Sequence, residues 1–329
     1  MKIPVVPAGD PHHGSGVPLT TEGNLATSII IPTKNRQDDL VETVRTILAQ
    51  RVLPEELIIV DQTPDDVGRL RVEDLFATSD ERVRRGVKLL YLHDPTIPGA
   101  AVARNVGMDR ATREIFVFLD DDVILDPGFL KELLQVYRSD SAVAGVSGTV
   151  TNYSRPGLLS FAFTSVFYRG VFYDERQQIY WNSDALQNSD PIPVRKFGAG
   201  GMSIRRDAVG KTRFDPHLNG VPRGEDIDFC ARLGATCKLV IAPRSRYVHK
   251  SSPINRVRQH WLELEVEAQY YLFFRNWNHG LRNRASFAWL NVGFCVAVAL
   301  GAVRSLSSVP LVAAWKGVQA GRRNAVGTH

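Results

Sequence analysis

The chain has 329 residues, 44% of them hydrophobic and 23% charged, with a formal charge of +5. That balance excludes a disordered, collagenous or disulfide-scaffold protein and leaves material for a sizeable core. Charge is unevenly placed: no acidic residue follows Glu267, whereas Arg275, Arg282, Arg284, Arg304, Lys316, Arg322 and Arg323 do. A one-signed basic tail containing apolar segments points to an anionic membrane surface, and its apolar content argues against nucleic acid.

Residues 1–27 are rich in Pro and Gly, lack an apolar stretch of signal-peptide length and read as a flexible leader. A first strand is predicted over Ser28–Thr33, then a helix over Asp38–Gln50 with Leu40, Val41, Val44, Ile47 and Leu48 at helical spacing. The turn between them, PTKNR, holds no glycine, which disfavours a dinucleotide site of the Gly-x-Gly-x-x-Gly type. Strands over Glu56–Asp61 and Val87–Leu92 follow, with helical segments near Asp65–Ala77 and Ile97–Ala111. Next comes Ile115–Val123, IFVFLDDDV, a buried strand ending in three aspartates.

Side chains alternate along extended backbone, so Asp120 and Asp122 are expected on one side and Asp121 on the other. Two carboxylates about 5 Å apart repel by roughly 3 kcal/mol at an effective dielectric near 20. A divalent cation with hard oxygen ligands removes that cost, and a solvated acidic loop is the alternative. A helix is predicted from Pro127 to Tyr137 and a strand over Val143–Val150. Alternating strands and helices argue for a mostly parallel sheet covered on both faces, with ligands bound beyond the carboxyl ends of the strands. The segment Pro32 to Arg36, Asp61 and the aspartate triplet all fall at such ends.

Thr151–Val194 is aromatic and loop-rich, a composition that fits either sugar stacking or ordinary packing. In FGAGGMSIRRD, Gly200 and Gly201 allow close backbone approach to a ligand, or simply make a hairpin turn. In GEDIDFCARLG, a helix start would gather Glu225, Asp226 and Asp228 in its first turn, where the macrodipole favours acids whatever their function. Arg232 lies four residues beyond Asp228 on the same side. His249 follows a predicted strand over Lys238–Ala242 and is either a metal ligand or a surface residue. Cys230, Cys237 and Cys295 lack zinc spacing and are expected as reduced packing thiols in a cytosolic setting.

Taken in order, SIIIPTKNR, IIVDQTPDD, GAAVARNVG, FLDDDV, FGAGGMSIRR and GEDIDFCARLG resemble the motifs of family 2 glycosyltransferases of the GT-A fold, over about Ser28–His249. The branch it looks like builds bacterial cell-surface polysaccharides and includes rhamnosyltransferase-like enzymes. The resemblance implies inverting transfer of a sugar from a nucleotide-sugar donor to an acceptor hydroxyl. It implies donor binding by Pro32, Thr33, Arg36, Asp61, Arg104, Asn105, Asp120 and Asp121. It further implies a divalent metal, Mn²⁺ or Mg²⁺, on Asp122 with His249, and Asp226 as general base beside Glu225. Gly200, Gly201, Asp228 and Arg232 fall on the acceptor side. Gln62 to Pro64 depart from the small-residue turn common after the strand aspartate, which leaves the base of the nucleotide open.

Domain boundaries follow: a GT-A domain over 28–250, with a nucleotide-binding half (28–125) and an acceptor half (126–250), then a helical, basic, membrane-associating extension over 251–329. Within the extension a long helix is predicted over Pro253–Trp277. Ala285–Val303 is uncharged and as a helix would measure about 28 Å, near the hydrocarbon thickness. With Arg on both sides and a second apolar stretch at Val309–Trp315, attachment to the cytoplasmic face of the cell membrane is favoured over a span. A polyprenyl-linked saccharide acceptor would explain such attachment. The alternatives are a non-catalytic binding module on a degenerate scaffold and a sugar-1-phosphate nucleotidyltransferase, whose Gly-rich triphosphate loop is not matched by PTKNR.

Overall fold

A computed structural model describes residues 25–198, 200–218, 224–252, 261–277 and 279–326. The expected leader up to residue 24 and the expected helix start at 253–260 lie outside the described residues. β1 (Thr27–Thr33), β2 (Glu56–Asp61), β3 (Lys88–His93) and β4 (Ile115–Leu119) alternate with α1 (Gln37–Leu48), α2 (Val67–Ala77), α3 (Glu81–Gly86) and α4 (Ala100–Arg110). β5 (Val123–Leu125), α5 (Phe129–Ser139), β6 (Val143–Val150), α6 (Leu158–Phe167), α7 (Glu175–Trp181) and α8 (Ser183–Leu186) follow. Then come β7 (Ile192–Val194), β8 (Gly201–Arg205), α9 (Arg206–Val209), α10 (Glu225–Gly234) and β9 (Lys238–His249). The chain closes on α11 (Trp261–Asn276), α12 (Leu281–Ser305) and α13 (Val309–Val326).

The nine strands among the described residues form one sheet in the order β3-β2-β1-β4-β8-β6-β9-β5, with β7 on β9. The strands of the first half pair in parallel, β3 with β2, β2 with β1 and β1 with β4. Beyond β4 the sheet becomes mixed, because β8 runs antiparallel to both β4 and β6 while β9 runs parallel to β6. This arrangement puts the carboxyl ends of β1, β2, β4 and β9 and the amino end of β8 on one edge.

The β-branched and aromatic runs of β1, β2 and β4 are buried throughout, as expected for strands covered on both faces. Leu40, Val44, Ile47 and Leu48 of α1 and Phe129, Leu130, Leu133 and Leu134 of α5 supply the covering stripes. Each such side chain contributes about 1.5–3 kcal/mol through burial. Gly107 lets α4 sit directly on β1, since a Cβ there would lie 2.4 Å from Ile30 Cγ2.

α11, α12 and α13 carry their own apolar clusters, Phe172, Val266, Tyr270, Phe273, Phe287 and Leu290 in one and Leu218, Ala268, Tyr271, Leu272 and Ala325 in another. Gly317 and Gly321, one helical turn apart, bring α13 against α11: a Cβ would meet the Glu263 carbonyl at 2.4 Å and the Glu267 carbonyl at 2.5 Å. α12 is the one helix among the described residues long and apolar enough to cross a membrane, with 22% of its most apolar window buried. A single exposed apolar helix of this kind is consistent with peripheral or monotopic attachment.

Candidate active site

The aspartate triplet leaves β4 in a turn that leads into β5, so the extended backbone does not persist through it, yet Asp120 and Asp122 still share a side. Asp121 points inward and is buried; its oxygens accept from the Thr33 hydroxyl at 2.8 Å and from Arg36 Nη1 at 2.9 Å. Burial lifts the Asp121 carboxyl to about 6 against the pull of Arg36 and Thr33. Arg36 thereby stays at the mouth of the first turn, and its Nη1 is also 3.8 Å from Asp122. Asn35 takes a left-handed conformation in that turn (φ 54°), and its N–H donates to the Thr63 hydroxyl at 2.8 Å.

Asp120 and Asp122 face the other way, toward β9. The antiparallel register places Val123 opposite His249, so the imidazole reaches back over the triplet. His249 Nε2 lies 3.1 Å from Asp122 Oδ1 and 3.7 Å from Asp120 Oδ2. The second Asp122 oxygen accepts from the Ser252 N–H at 2.8 Å. Burial opposes ionisation of Asp122, but the hydrogen bond and charge of His249, with Ser252 and Arg36, hold its carboxyl below the ordinary value. One ligand atom from each of Asp120, Asp122 and His249 lies within 4.8 Å of the others. Two carboxylates and an imidazole are a donor set that fits Mn²⁺ or Mg²⁺.

Arg104 of α4 is buried beneath this cluster and bridges two acids, donating to Asp120 Oδ1 at 2.9 Å and to Glu225 Oε1 at 3.0 Å. Its guanidinium also sits 5.5 Å from the centre of the Phe214 ring. Burial pushes the Glu225 carboxyl up, Arg104 pulls it down and the neighbouring Asp226 pushes it up again, leaving it raised. Asp226, one residue along, accepts from the Ile227 N–H at 2.8 Å and lies 3.8 Å from Arg176 Nη1.

Arg176 escaped the reading of the sequence. It sits on α7, in the aromatic region, with Nε and Nη2 donating to the two oxygens of Asp174 at 2.9 and 3.0 Å, which aims Nη1 at Asp226. Gly198 lets the backbone pass between them, since a Cβ there would lie 3.1 Å from Arg176 Nη1 and 3.5 Å from Asp226 Oδ2. The signal available was the i, i+3, i+4 set of Arg176, Ile179 and Tyr180, all buried on one helix face.

The remaining expected site residues are placed as follows. Asp61 is buried, its oxygens accepting from the Thr63 N–H at 2.8 Å and the Tyr91 hydroxyl at 2.6 Å. Asn105 clamps the backbone of Phe214, donating to its carbonyl at 2.8 Å and accepting from its N–H at 2.9 Å. Asp228 is fully buried and ties α10 to α11 through Asn276 Nδ2 at 2.9 Å, with Arg232 Nε at 3.0 Å on its other oxygen. Pro32 lies within β1, opposite Val60. Gly200 borders the metal cluster, as a Cβ there would lie 3.1 Å from Asp120 Oδ2. Gly201 makes room for Tyr247, whose ring a Cβ would meet at 2.5 Å. All three cysteines are free.

Residues 28–209 match the glycosyl transferase family 2, and the chain belongs to that family. Among curated proteins it is 26% identical to the succinoglycan biosynthesis protein ExoM of Rhizobium meliloti over 80% of this chain and 81% of that one. It is 29% identical to the glucosyl-dolichyl phosphate glucuronosyltransferase of Haloferax volcanii, over 38% of each chain. Among solved structures it resembles the mannosyltransferase PcManGT of Pyrobaculum calidifontis, solved with GDP-Man and Mn²⁺ (17% identity, TM-score 0.53, 92% of this chain and 86% of that one). It also resembles residues 1–349 of S. aureus TarS (15% identity, TM-score 0.53, 80% and 70% covered). The fold is therefore GT-A, and with the Asp120, Asp122 and His249 cluster it defines a metal-assisted glycosyltransferase.

Proposed function

We propose that the enzyme moves a sugar from a nucleotide-sugar donor to a hydroxyl of a membrane-borne saccharide, such as a polyprenyl-linked one, during synthesis of a bacterial cell-surface polysaccharide. The rhamnosyltransferase-like branch is the reading the sequence motifs favour, and likeness to a succinoglycan biosynthesis protein over four-fifths of the chain supports the polysaccharide setting. Residues 28–125 would hold the nucleotide, 126–250 the acceptor, and 251–329 the cytoplasmic face of the cell membrane.

The observation that carries this reading is the continuous line of charged side chains from Asp122 and His249 through Asp120 and Arg104 to Glu225 and Asp226. A Mn²⁺ or Mg²⁺ ion held by Asp122 and His249 with Asp120 would supply positive charge for the diphosphate leaving group. Arg36 lies at the same edge and can add to that charge. Arg104 holds Asp120 and Glu225 in place through its two hydrogen bonds. Asp226 stands at the start of α10, within reach of an acceptor entering from the α7 side, and serves as the general base, a role worth about 10² to 10⁴-fold in rate. Thr33 and Asp121 hold Arg36 in its turn. Asp61, Asn105 and Asp228 act by fixing the loops that surround the donor.

Titration calorimetry with UDP, GDP and dTDP, each with Mn²⁺, Mg²⁺ or chelator, tests the donor half. Metal-dependent binding of one nucleotide, lost in Asp122→Ala, is the expected result. No binding of any nucleotide by the folded enzyme, with or without acceptor, would overturn it and favour a degenerate binding module.

A further inference from the structure

α6 contains no charged residue, and none of its residues is buried. Apart from Ser160, Thr164 and Ser165 its residues are apolar, and an apolar helix face needs an apolar covering, either protein or lipid. Its leading turn is the barest part, with Leu158 and Leu159 each 82% exposed. Its trailing turn is locked onto α12. The Trp289 indole N–H donates to the Val166 carbonyl at 2.8 Å, and the Phe167 and Trp289 rings lie 5.3 Å apart. Phe167 also fills the notch left by Gly293, where a Cβ would come within 2.5 Å of its ring.

α6 therefore extends the exposed apolar strip of α12 formed by Val292, Val296, Leu300 and Val303. Asp174, which lines a groove with Phe161 and Thr164 of α6, is tied to Arg176, and the charges that flank the two helices are basic. From residue 141 to residue 173 there is no Asp or Glu, while Arg155 and Arg169 flank α6. Arg282, Arg284 and Arg304 flank α12, and no acid follows Glu267. An apolar groove of about 540 Å³ shares Val292 and Val296 with this strip and is also lined by Arg284 and Arg322. Apolar helices edged by guanidinium groups complement an anionic bilayer, in which acyl chains and lipid phosphates are layered in the same order.

We infer that α6, an element of the catalytic domain, is a second bilayer contact that works with α12 to hold the acceptor side of the site against an anionic membrane surface. α6 reaches the site through one helix: Phe161 packs on Trp181 of α7 with centroids 5.9 Å apart, and Arg176 of α7 faces Asp226. Two contacts from separate parts of the chain define an orientation, which attachment by α12 alone does not. The acceptor part of this inference rests on the function proposed above.

The test is flotation of the full-length protein with phosphatidylcholine vesicles, with and without about a quarter phosphatidylglycerol. Leu158→Glu/Leu159→Glu is the variant, chosen because both side chains are already in solvent and neither belongs to the site. Expected is binding of the unaltered protein that depends on the anionic lipid, and a loss of roughly ten-fold or more in the variant. Metal-dependent nucleotide binding should be unchanged in the variant, so failure of the donor reading and failure of this one are separable. Equal flotation of both proteins would confine attachment to α12 and α13 and overturn the proposal. Absence of flotation of the unaltered protein with either vesicle would overturn lipid as the covering and point to a protein partner.

Discussion

His249 and Asp122 are separated by 127 positions in the chain, yet the imidazole Nε2 and the carboxylate Oδ1 are 3.1 Å apart. The antiparallel pairing of β5 with β9 makes this contact, since it sets His249 opposite the residue after Asp122. If these groups share a divalent ion, removing one must be felt in nucleotide affinity and in rate together. Asp122→Ala is expected to abolish metal-dependent nucleotide binding and lower kcat/KM by on the order of 10²-fold or more. Chelator should silence the unaltered enzyme, and added Mn²⁺ or Mg²⁺ should restore it. Nucleotide binding that ignores both the chelator and the substitution would remove the metal from the mechanism.

Asp226 is expected to separate binding from chemistry. Asp226→Asn keeps the shape of the side chain and its bond from the Ile227 N–H but cannot accept the acceptor's proton. Turnover should fall about 10² to 10⁴-fold, while calorimetric affinity for the nucleotide stays the same. Full activity in this variant would transfer the base role elsewhere, with Glu225 excluded as the first choice because Arg104 already occupies it.

The sequence located the strand ends along the edge of the sheet better than the groups that pack across them, and the reason is physical. Thr33, Asp61 and Asp120 sit at or just beyond the ends of hydrophobic strands, and the carboxyl-end rule locates them without knowledge of strand order. The continuity of β9 as far as His249 was not legible, because RSRYVH alternates charge and aromatic character and reads as the end of a strand over Lys238–Ala242. Nor was the mixed half of the sheet, since pairing of β8 between β4 and β6 is decided by tertiary contacts. The partners of Asp61, Asn105 and Asp228, namely Tyr91, the Phe214 backbone and Asn276, were not legible either, since they become neighbours only on folding.

Arg104 is a buried cation whose neighbours are two carboxylates, so breaking the bridge should cost more than any surface pair. Arg104→Met leaves Asp120 and Glu225 without compensation, and unfolding free energy should drop by about 3–5 kcal/mol. Glu225→Gln added to Arg104→Met should recover part of that loss, as coupled partners in a double-mutant cycle do. Chemical denaturation of the four proteins measures both quantities. Strict additivity would mean that Glu225 and Arg104 do not depend on each other.

Asp174 gives the fold a specific acid sensitivity. Burial opposes its ionisation, but Arg176 through charge and hydrogen bonds, together with the charge of Lys196, holds the carboxyl well below the ordinary range. The unfolded chain then binds more protons than the native one as pH falls below about 4, the ordinary aspartate value. Stability contributed by Asp174 is thus complete above that value and is lost as pH falls through the depressed native value. Asp174→Asn should be less stable than the unaltered protein at neutral pH and should show a shallower loss on acidification. Because Arg176 would lose its anchor, the same variant should lower kcat while leaving nucleotide affinity intact, whereas a merely structural role would leave the kcat of the folded fraction unchanged.

Gly107 sets two opposing effects against each other in one substitution. Ala in a helix interior is favoured over Gly by about 1 kcal/mol. The new methyl, however, would lie 2.4 Å from Ile30 Cγ2, and Ile30 is wholly buried in β1. Extra methyl groups in a packed core cost about 1–3 kcal/mol, and a β-branched side chain in a central strand has little rotamer freedom with which to yield. Gly107→Ala should therefore be destabilised, and its thermal midpoint should fall. Ile30→Ala removes the clashing carbon at the cost of a cavity, so Gly107→Ala should become neutral or favourable in that background. Thermal denaturation of the four proteins decides the matter, and a higher midpoint for Gly107→Ala alone would show that α4 can lift from β1 without penalty.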